Sequence, residues 1–189
     1  MPPTHDIPVA IPRLETDRLL LRGHRIDDLP DCTAMWGDPE VTRYIGGKPF
    51  SREEVWSKIL RYAGHWSLLG FGYWLIADRA TGRFLGEAGF ADFKRQIEPS
   101  FAGLPEIGWA LAREAQGRGI ATEAVRAVTA WGDRHFAAGP TLCLIGPGNT
   151  GSIRVAEKSG YREFRRTTYK EQPTILFQRG DQGNGQGNG

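Results

Sequence analysis

The chain has 189 residues, 40% of them hydrophobic and 24% charged, a globular balance that suits one domain with a sizeable core. Twenty-four basic side chains stand against 22 acidic ones, which argues against a nucleic-acid or membrane surface. Cys32 and Cys143 lack paired spacing and read as buried thiols, the lead from Met1 to Ile11 is no secretory signal, and Leu68 to Ala77 is too short and glycine-broken to cross a bilayer, so a soluble, cytoplasmic protein is expected.

Thr16 to Arg22 reads as a first strand, apolar in its middle and ended by Gly23. Asp27 suits the N-cap of a helix carrying Leu29, Cys32, Met35 and Trp36. Asp38-Pro39-Glu40 is a second helix start, with proline where its missing N–H costs nothing. Ser51 to Glu54 forms a capping box, and Val55, Ile59, Tyr62, Ala63 and Trp66 follow at helical spacing. Two strands come next, Gly72 to Asp78 and Arg83 to Phe93, joined by a turn in which Gly82 takes positive φ. Lys94 to Leu104, with Pro99 and Gly103, is a loop, and Pro105 to Ala112 is a further strand. A long helix then presents Ala121, Ala124, Val125, Val128 and Trp131 on one face and ends at Gly139-Pro140. Thr141 to Ile145 is a buried strand, and the helix after Asn149 stops at Gly160. Tyr161 to Lys170 and Thr174 to Arg179 close the order as an antiparallel pair. Residues 1–179 thus form a single domain, and 180–189 are a Gly/Gln/Asn-rich tail with nothing to order it.

The informative stretch runs from Ile107 to Thr122: a strand, a glycine-rich loop and a helix start. Backbone N–H groups at a helix start point one way and carry the positive end of the dipole, so they suit a phosphate. Gly117 and Gly119 leave room for it, and Arg118 adds charge. A glycine-softened helix start with no ligand explains the loop alone equally well. No lysine follows the glycines as a Walker A loop requires. The dinucleotide fingerprint fails at Thr122 and would open the chain rather than follow a meander, which leaves an NAD oxidoreductase remote.

Gln116, Gly119 and Ala121 match the pattern Gln/Arg-x-x-Gly-x-Gly/Ala. From about Arg13 to Arg179 the chain resembles the GNAT N-acetyltransferases, and several pieces look like their RimJ/RimL branch, whose members acetylate ribosomal proteins. Those pieces include Leu14 to Arg22, Asp38 to Val41, Thr81 to Gly86, Glu106 to Trp109, Gly117 to Ala124 and Asn149 to Val155, in the family's order and spacing.

The resemblance implies an α/β (α+β) fold: a central mixed, mostly antiparallel sheet with helices on both faces. It implies acetyl-CoA as co-substrate, no metal, and transfer of the acetyl group by direct attack of a primary amine, from a protein N-terminus or a small molecule. The loop residues Gln116, Gly117, Arg118, Gly119, Ile120, Ala121 and Thr122 would hold the coenzyme A pyrophosphate, and the main chain of Trp109, Ala110 and Leu111 would pair with the pantetheine arm. A main-chain N–H there would also hold the oxyanion. Asn149 would touch the cofactor, cap its helix, or both. An alkylammonium of pKa about 10.4 must lose a proton before attack, so a base is needed. Glu106 is the candidate and Glu87 the reserve, each with a surface carboxylate as the alternative. The family's acidic tyrosine position holds Ala156; Ser152, or the helix start itself, is left to steady the thiolate. A non-catalytic acyl-CoA sensor with the same fold is the second reading. Partners are then acetyl-CoA and an amine, with no nucleic acid or membrane, on a monomer or homodimer.

Overall fold

The structure, a computed structural model, describes residues 10–136 and 139–180. It opens on a hairpin, β1 (Leu14–Glu15) and β2 (Leu19–Arg22), where one strand from Thr16 was expected. The physical reason is a tight turn. The Thr16 N–H donates to the Leu19 carbonyl at 3.0 Å, and its hydroxyl accepts the Leu19 N–H at 3.0 Å. Nor is Asp27 the cap of the first helix. Ile26–Asp28 form a 3-10 turn in which Asp28 accepts from the Arg25 N–H and from both terminal nitrogens of Arg22, and α1 (Leu29–Trp36) begins after it.

The next two starts follow their chemistry. α2 (Pro39–Thr42) is capped by the Asp38 side chain, and α3 (Arg52–Leu69) by the reciprocal Ser51/Glu54 pair. α3 buries Val55, Ile59, Tyr62 and Trp66 as its spacing requires, but His65 goes inward and Ala63 outward. β3 (Tyr73–Asp78), β4 (Phe84–Ala91) and β5 (Glu106–Leu111) form the meander, with Gly82 at φ +74° in the first turn. α4 (Ile120–His135) ends before Gly139-Pro140, because Phe136 turns to extended backbone and sets its ring 4.9 Å from that of Phe90. β6 (Thr141–Ile145), α5 (Thr150–Lys158), β7 (Arg162–Tyr169) and β8 (Gln172–Arg179) complete the chain. The expected tail lies, beyond Gly180, outside the described residues.

The eight strands make one sheet in the order β1-β2-β3-β4-β5-β6-β8-β7, antiparallel except between β5 and β6. Alternation divides the core. Leu21, Trp74, Ile76, Phe90 and Ile107 pack beneath Val125, Val128 and Trp131 of α4. On the other face Leu75, Ala77 and Ala110 meet Cys32, Trp36, Val55 and Ile59 of α1 and α3. The expected mixed, mostly antiparallel sheet with helices on both faces is the one found. Among the described residues no helix is long and apolar enough to cross a membrane.

Candidate active site

The parallel contact between β5 and β6 is one residue pair long. Glu106 aligns with Leu142, and the Leu142 N–H donates to the Pro105 carbonyl at 3.1 Å. Beyond that point β6 pairs only with β8 and β5 only with β4, so the sheet splits into a V. The Ala112 N–H donates to the Leu85 carbonyl at 2.9 Å, and by antiparallel alternation Ala110 and Gly108 also turn their main-chain groups to β4. Trp109 and Leu111 therefore turn theirs into the gap. The Leu111 carbonyl is taken by the Gln116 side-chain amide at 3.1 Å, and among the described residues the N–H groups of Trp109 and Leu111 have no protein acceptor.

At the open end of the V the chain makes a 3-10 turn (Arg113–Ala115) and enters the glycine loop. Gly117 and Gly119 sit at φ +72° and +76°, a region that L side chains rarely adopt, and Gly119 is the residue that precedes α4. Among the described residues the N–H groups of Gly117, Arg118 and Gly119 have no protein acceptor. The first N–H groups of α4 add to them, since a helix start leaves its amides unpaired. Arg18 braces this loop from the N-terminal hairpin. It donates to the Arg118 carbonyl at 3.0 Å and pairs with Glu123 of α4 at 2.6 Å, and Thr16 donates to the same carboxylate at 2.6 Å. A groove of about 1030 Å³ adjoins the loop at Gly119 and Thr122 and carries Arg13, Arg126, Arg134 and Lys158. The site thus offers main-chain donors in the gap, an anion cradle at its mouth and positive ground beyond.

The α1/α3 face of β4 and β5 walls the gap. Neither carboxylate singled out from the sequence is on the surface: Glu87 is 1% exposed and Glu106 6%. Glu106 accepts from Arg95 through both oxygens, at 2.5 and 2.7 Å, and Arg95 lies between the rings of Phe93 and Tyr169. Glu87 stands opposite Ala110 and accepts from His24 Nε2 (3.1 Å), Trp36 Nε1 (3.0 Å) and the Tyr62 hydroxyl (3.2 Å). Burial alone pushes its carboxyl up, but the hydrogen bond and charge of His24, with Lys58 and Trp36, outweigh it and hold Glu87 below the ordinary carboxylate value. Lys58 is half-buried, with Nζ 4.0 Å from the Trp36 ring centre and 4.9 Å from that of Phe50. Desolvation lowers its amine to about 8.

This cluster had no sequence signal beyond Glu87 itself. The ligand atoms of His24, Cys32 and Glu87 lie within 4.8 Å of one another. The Glu87 oxygens are occupied by hydrogen-bond donors, and burial pushes the Cys32 thiol well up, so the trio fits a hydrogen-bonded carboxylate better than a cation site. Asn149 caps α5, its Oδ1 accepting the Ser152 N–H at 3.1 Å. Ala156 is fully buried under that helix and offers no polar atom.

Similarity to known proteins agrees with this geometry. The acetyltransferase (GNAT) domain family matches residues 18–162. The chain is 34% identical to the uncharacterised protein YkkB of Bacillus subtilis (strain 168) over 173 residues, 88% of this chain and 95% of that one. A putative GnaT-family acetyltransferase from Bordetella pertussis superposes with a TM-score of 0.78 at 30% identity, over 89% of this chain and 99% of that one. At 20% identity and TM-score 0.72, AAC(6')-Ib in complex with ribostamycin and coenzyme A shares the fold over 88% of this chain and 95% of its own. So, at 16% and 0.72, does the ribosomal L7/L12 alpha-N-protein acetyltransferase RimL, over 90% and 95%. The split sheet, the anion cradle at its mouth and the family match over most of the chain belong together: the chain is a member of the GNAT acetyltransferases, enzymes that transfer an acyl group from acetyl-CoA.

Proposed function

We propose that this enzyme acetylates a primary amine, with acetyl-CoA held in the V between β5 and β6. The single observation that carries the reading is the pair of free N–H groups, Trp109 and Leu111, aligned with the unpaired amides of the 117–119 loop. The loop with Gln116, Ile120, Ala121 and Thr122 takes the pyrophosphate, and Trp109, Ala110 and Leu111 take the arm. The Trp109 N–H then faces the thioester carbonyl as oxyanion donor. Asn149 sets the start of α5 at the far side of the gap, where Ser152 is the candidate donor toward sulfur. A protein N-terminus, as in the RimJ/RimL branch, and a small amine, as in the aminoglycoside enzyme, remain the two acceptor classes to screen.

Glu106 is proposed as the base, on the condition that Arg95 gives up one of its oxygens when the acceptor enters. Paired as it stands, both of its oxygens are taken by Arg95. The attack itself needs no covalent enzyme intermediate: the amine nitrogen bonds the acetyl carbon, the C–S bond breaks, and the proton lost by nitrogen ends on sulfur.

The test is calorimetric titration with acetyl-CoA, free CoA and NAD, beside Gly119→Trp. Saturable binding of both CoA species, lost in the variant, is expected, followed by acceptor-dependent thiol release. Glu106→Gln should then lower kcat by about 10²–10⁴-fold, the range of a general base. Absence of CoA binding would overturn the reading; binding without turnover on any amine would favour the sensor, to which the alanine at position 156 lends some support.

A further inference from the structure

The thiolate that leaves coenzyme A needs a hydrogen-bond donor, and residue 156 cannot supply one. A hydroxyl reaches the same strand from another direction. Tyr73, Gly89 and Gly108 lie in one row across β3, β4 and β5. With no side chain at Gly89 or Gly108, the Tyr73 ring crosses β4 and ends against β5. A Cβ built on Gly108 would collide with Tyr73 Oη and stand 3.3 Å from Cζ. The ring is fixed by parallel stacking on Tyr62, with centres 4.5 Å apart and planes 5° apart, and Tyr62 is itself tied to Glu87. Buried tyrosine hydroxyls ordinarily find a partner. Among the described residues no hydrogen bond occupies this one. Although Tyr73 as a whole is only 7% exposed, its hydroxyl is not sealed in and so remains open to a partner from outside the protein.

The direction of the gap gives that position its meaning. If the pyrophosphate sits on residues 117–122 and the arm runs back past Leu111 and Trp109, its reactive end arrives at Gly108, just before β5 and β6 close at Glu106. On this basis, which rests on the reading of the gap as the acetyl-CoA site, we propose that Tyr73 is a hydrogen-bond donor to the departing sulfur from the β5 side, in addition to Ser152 at the start of α5. Burial pushes the Tyr73 phenol up, so it stays protonated across the working range and serves as a fixed donor. As the C–S bond breaks, its O–H steadies the developing thiolate, and the proton released by the acceptor nitrogen completes the thiol. The charged groups around it are Glu106 on β5, Arg95 on the loop from β4 to β5, Glu87 on β4 and Arg61 on α3.

The test reads bound CoA, not turnover. Wild-type protein and Tyr73→Phe are each saturated with free CoA, and the pH midpoint of thiol alkylation by iodoacetamide is followed. Hydrogen bonds to charged groups are strong enough that the thiolate fraction at fixed pH should fall about tenfold or more in the variant, with CoA affinity little changed. Equal midpoints with CoA bound would overturn the assignment of Tyr73 and leave the cofactor site standing. Failure of the wild-type protein to bind CoA would instead remove the site on which both proposals rest, and loss of CoA binding in Tyr73→Phe alone would overturn the assignment of Tyr73 as a donor to sulfur only. Placement is checked separately by thermal melts. Gly108→Ala should be markedly destabilised and Gly108→Ala/Tyr73→Phe should recover most of the loss, whereas a Gly108→Ala variant as stable as wild type would show that the hydroxyl is not there.

Discussion

Lys58 carries a charge into an aromatic recess, and the structure makes its cost measurable. Trp36, Phe50 and Tyr62 face Nζ, and among the described residues no carboxylate lies within salt-bridge reach of it. The rings attract the cation, but desolvation dominates and lowers the amine to about 8, against an ordinary value near 10.4. Between those two values the unfolded chain holds the proton and the native protein has shed it, so wild-type stability rises with pH across that window. Below about 8 both states are protonated and the penalty is paid in full. Lys58→Met keeps the length and removes the charge. It should stabilise the protein at pH 7 by on the order of 1–3 kcal/mol, and the gain should shrink as pH rises through 8 toward 10. Denaturant midpoints at pH 7 and pH 9.5 check this; a Met variant less stable at pH 7 would mean that the rings and the distant Glu87 charge more than offset desolvation.

At the scale of elements, the β1–β2 hairpin is coupled to the glycine loop by the Arg18 side chain. Arg18 joins the Arg118 carbonyl to Glu123, across the start of α4. Its side chain is 49% exposed, so the ion pair itself contributes at most about 1 kcal/mol to stability. Its larger effect is to hold a loop in which two glycines have little else to fix them. Arg18→Ala should therefore lower the melting temperature only slightly and weaken CoA binding several-fold, with the loss visible by titration. A variant with unchanged affinity would show that the loop is set by its own backbone. Nothing in the sequence links Arg18 to residue 118, and this marks the limit of what local pattern conveys. The Ser51/Glu54 box, the Asp38-Pro39 start and the turn at Gly82 were legible because each is specified by neighbours within four residues. The glycine loop was legible because strand, glycines and helix are contiguous. The turn at Thr16 was missed because a side-chain hydroxyl interrupts an apolar run. The Arg95 grip on Glu106, the donors around Glu87 and the reach of Tyr73 over two glycines all depend on strand register, which only the folded sheet defines.

For the whole molecule, the consequence of the V is that two half-sheets, β1–β5 and β6–β8, meet in the sheet through the single Glu106–Leu142 contact and otherwise through α4, α5 and the loop from β4 to β5, where Arg95 meets Tyr169 and the Glu98 carbonyl accepts from Thr167. Unpaired strand edges inside a domain are a structural liability that natural proteins cover. Here the cover would be the cofactor arm, whose amides can do for Trp109 and Leu111 what a neighbouring strand does elsewhere. A ligand that binds only the native state stabilises it by about 2.7 kcal/mol at 100 times its dissociation constant. For a domain of this size that corresponds to a rise in melting temperature of roughly 5–10 °C. The location of the effect is the sharper test. In the free protein the Trp109 and Leu111 amides should exchange rapidly with solvent, while those of Gly108 and Ala110, bonded to β4, exchange slowly. Saturation with CoA should slow Trp109 and Leu111 together with Gly117 to Gly119, and leave β7 unaffected. The alternation matters more than the protection: slowing of all of β5 alike would mean that the whole strand had been tightened from outside. Slowing of alternate residues alone is what a ligand lying in the split, hydrogen-bonded to one edge, must produce.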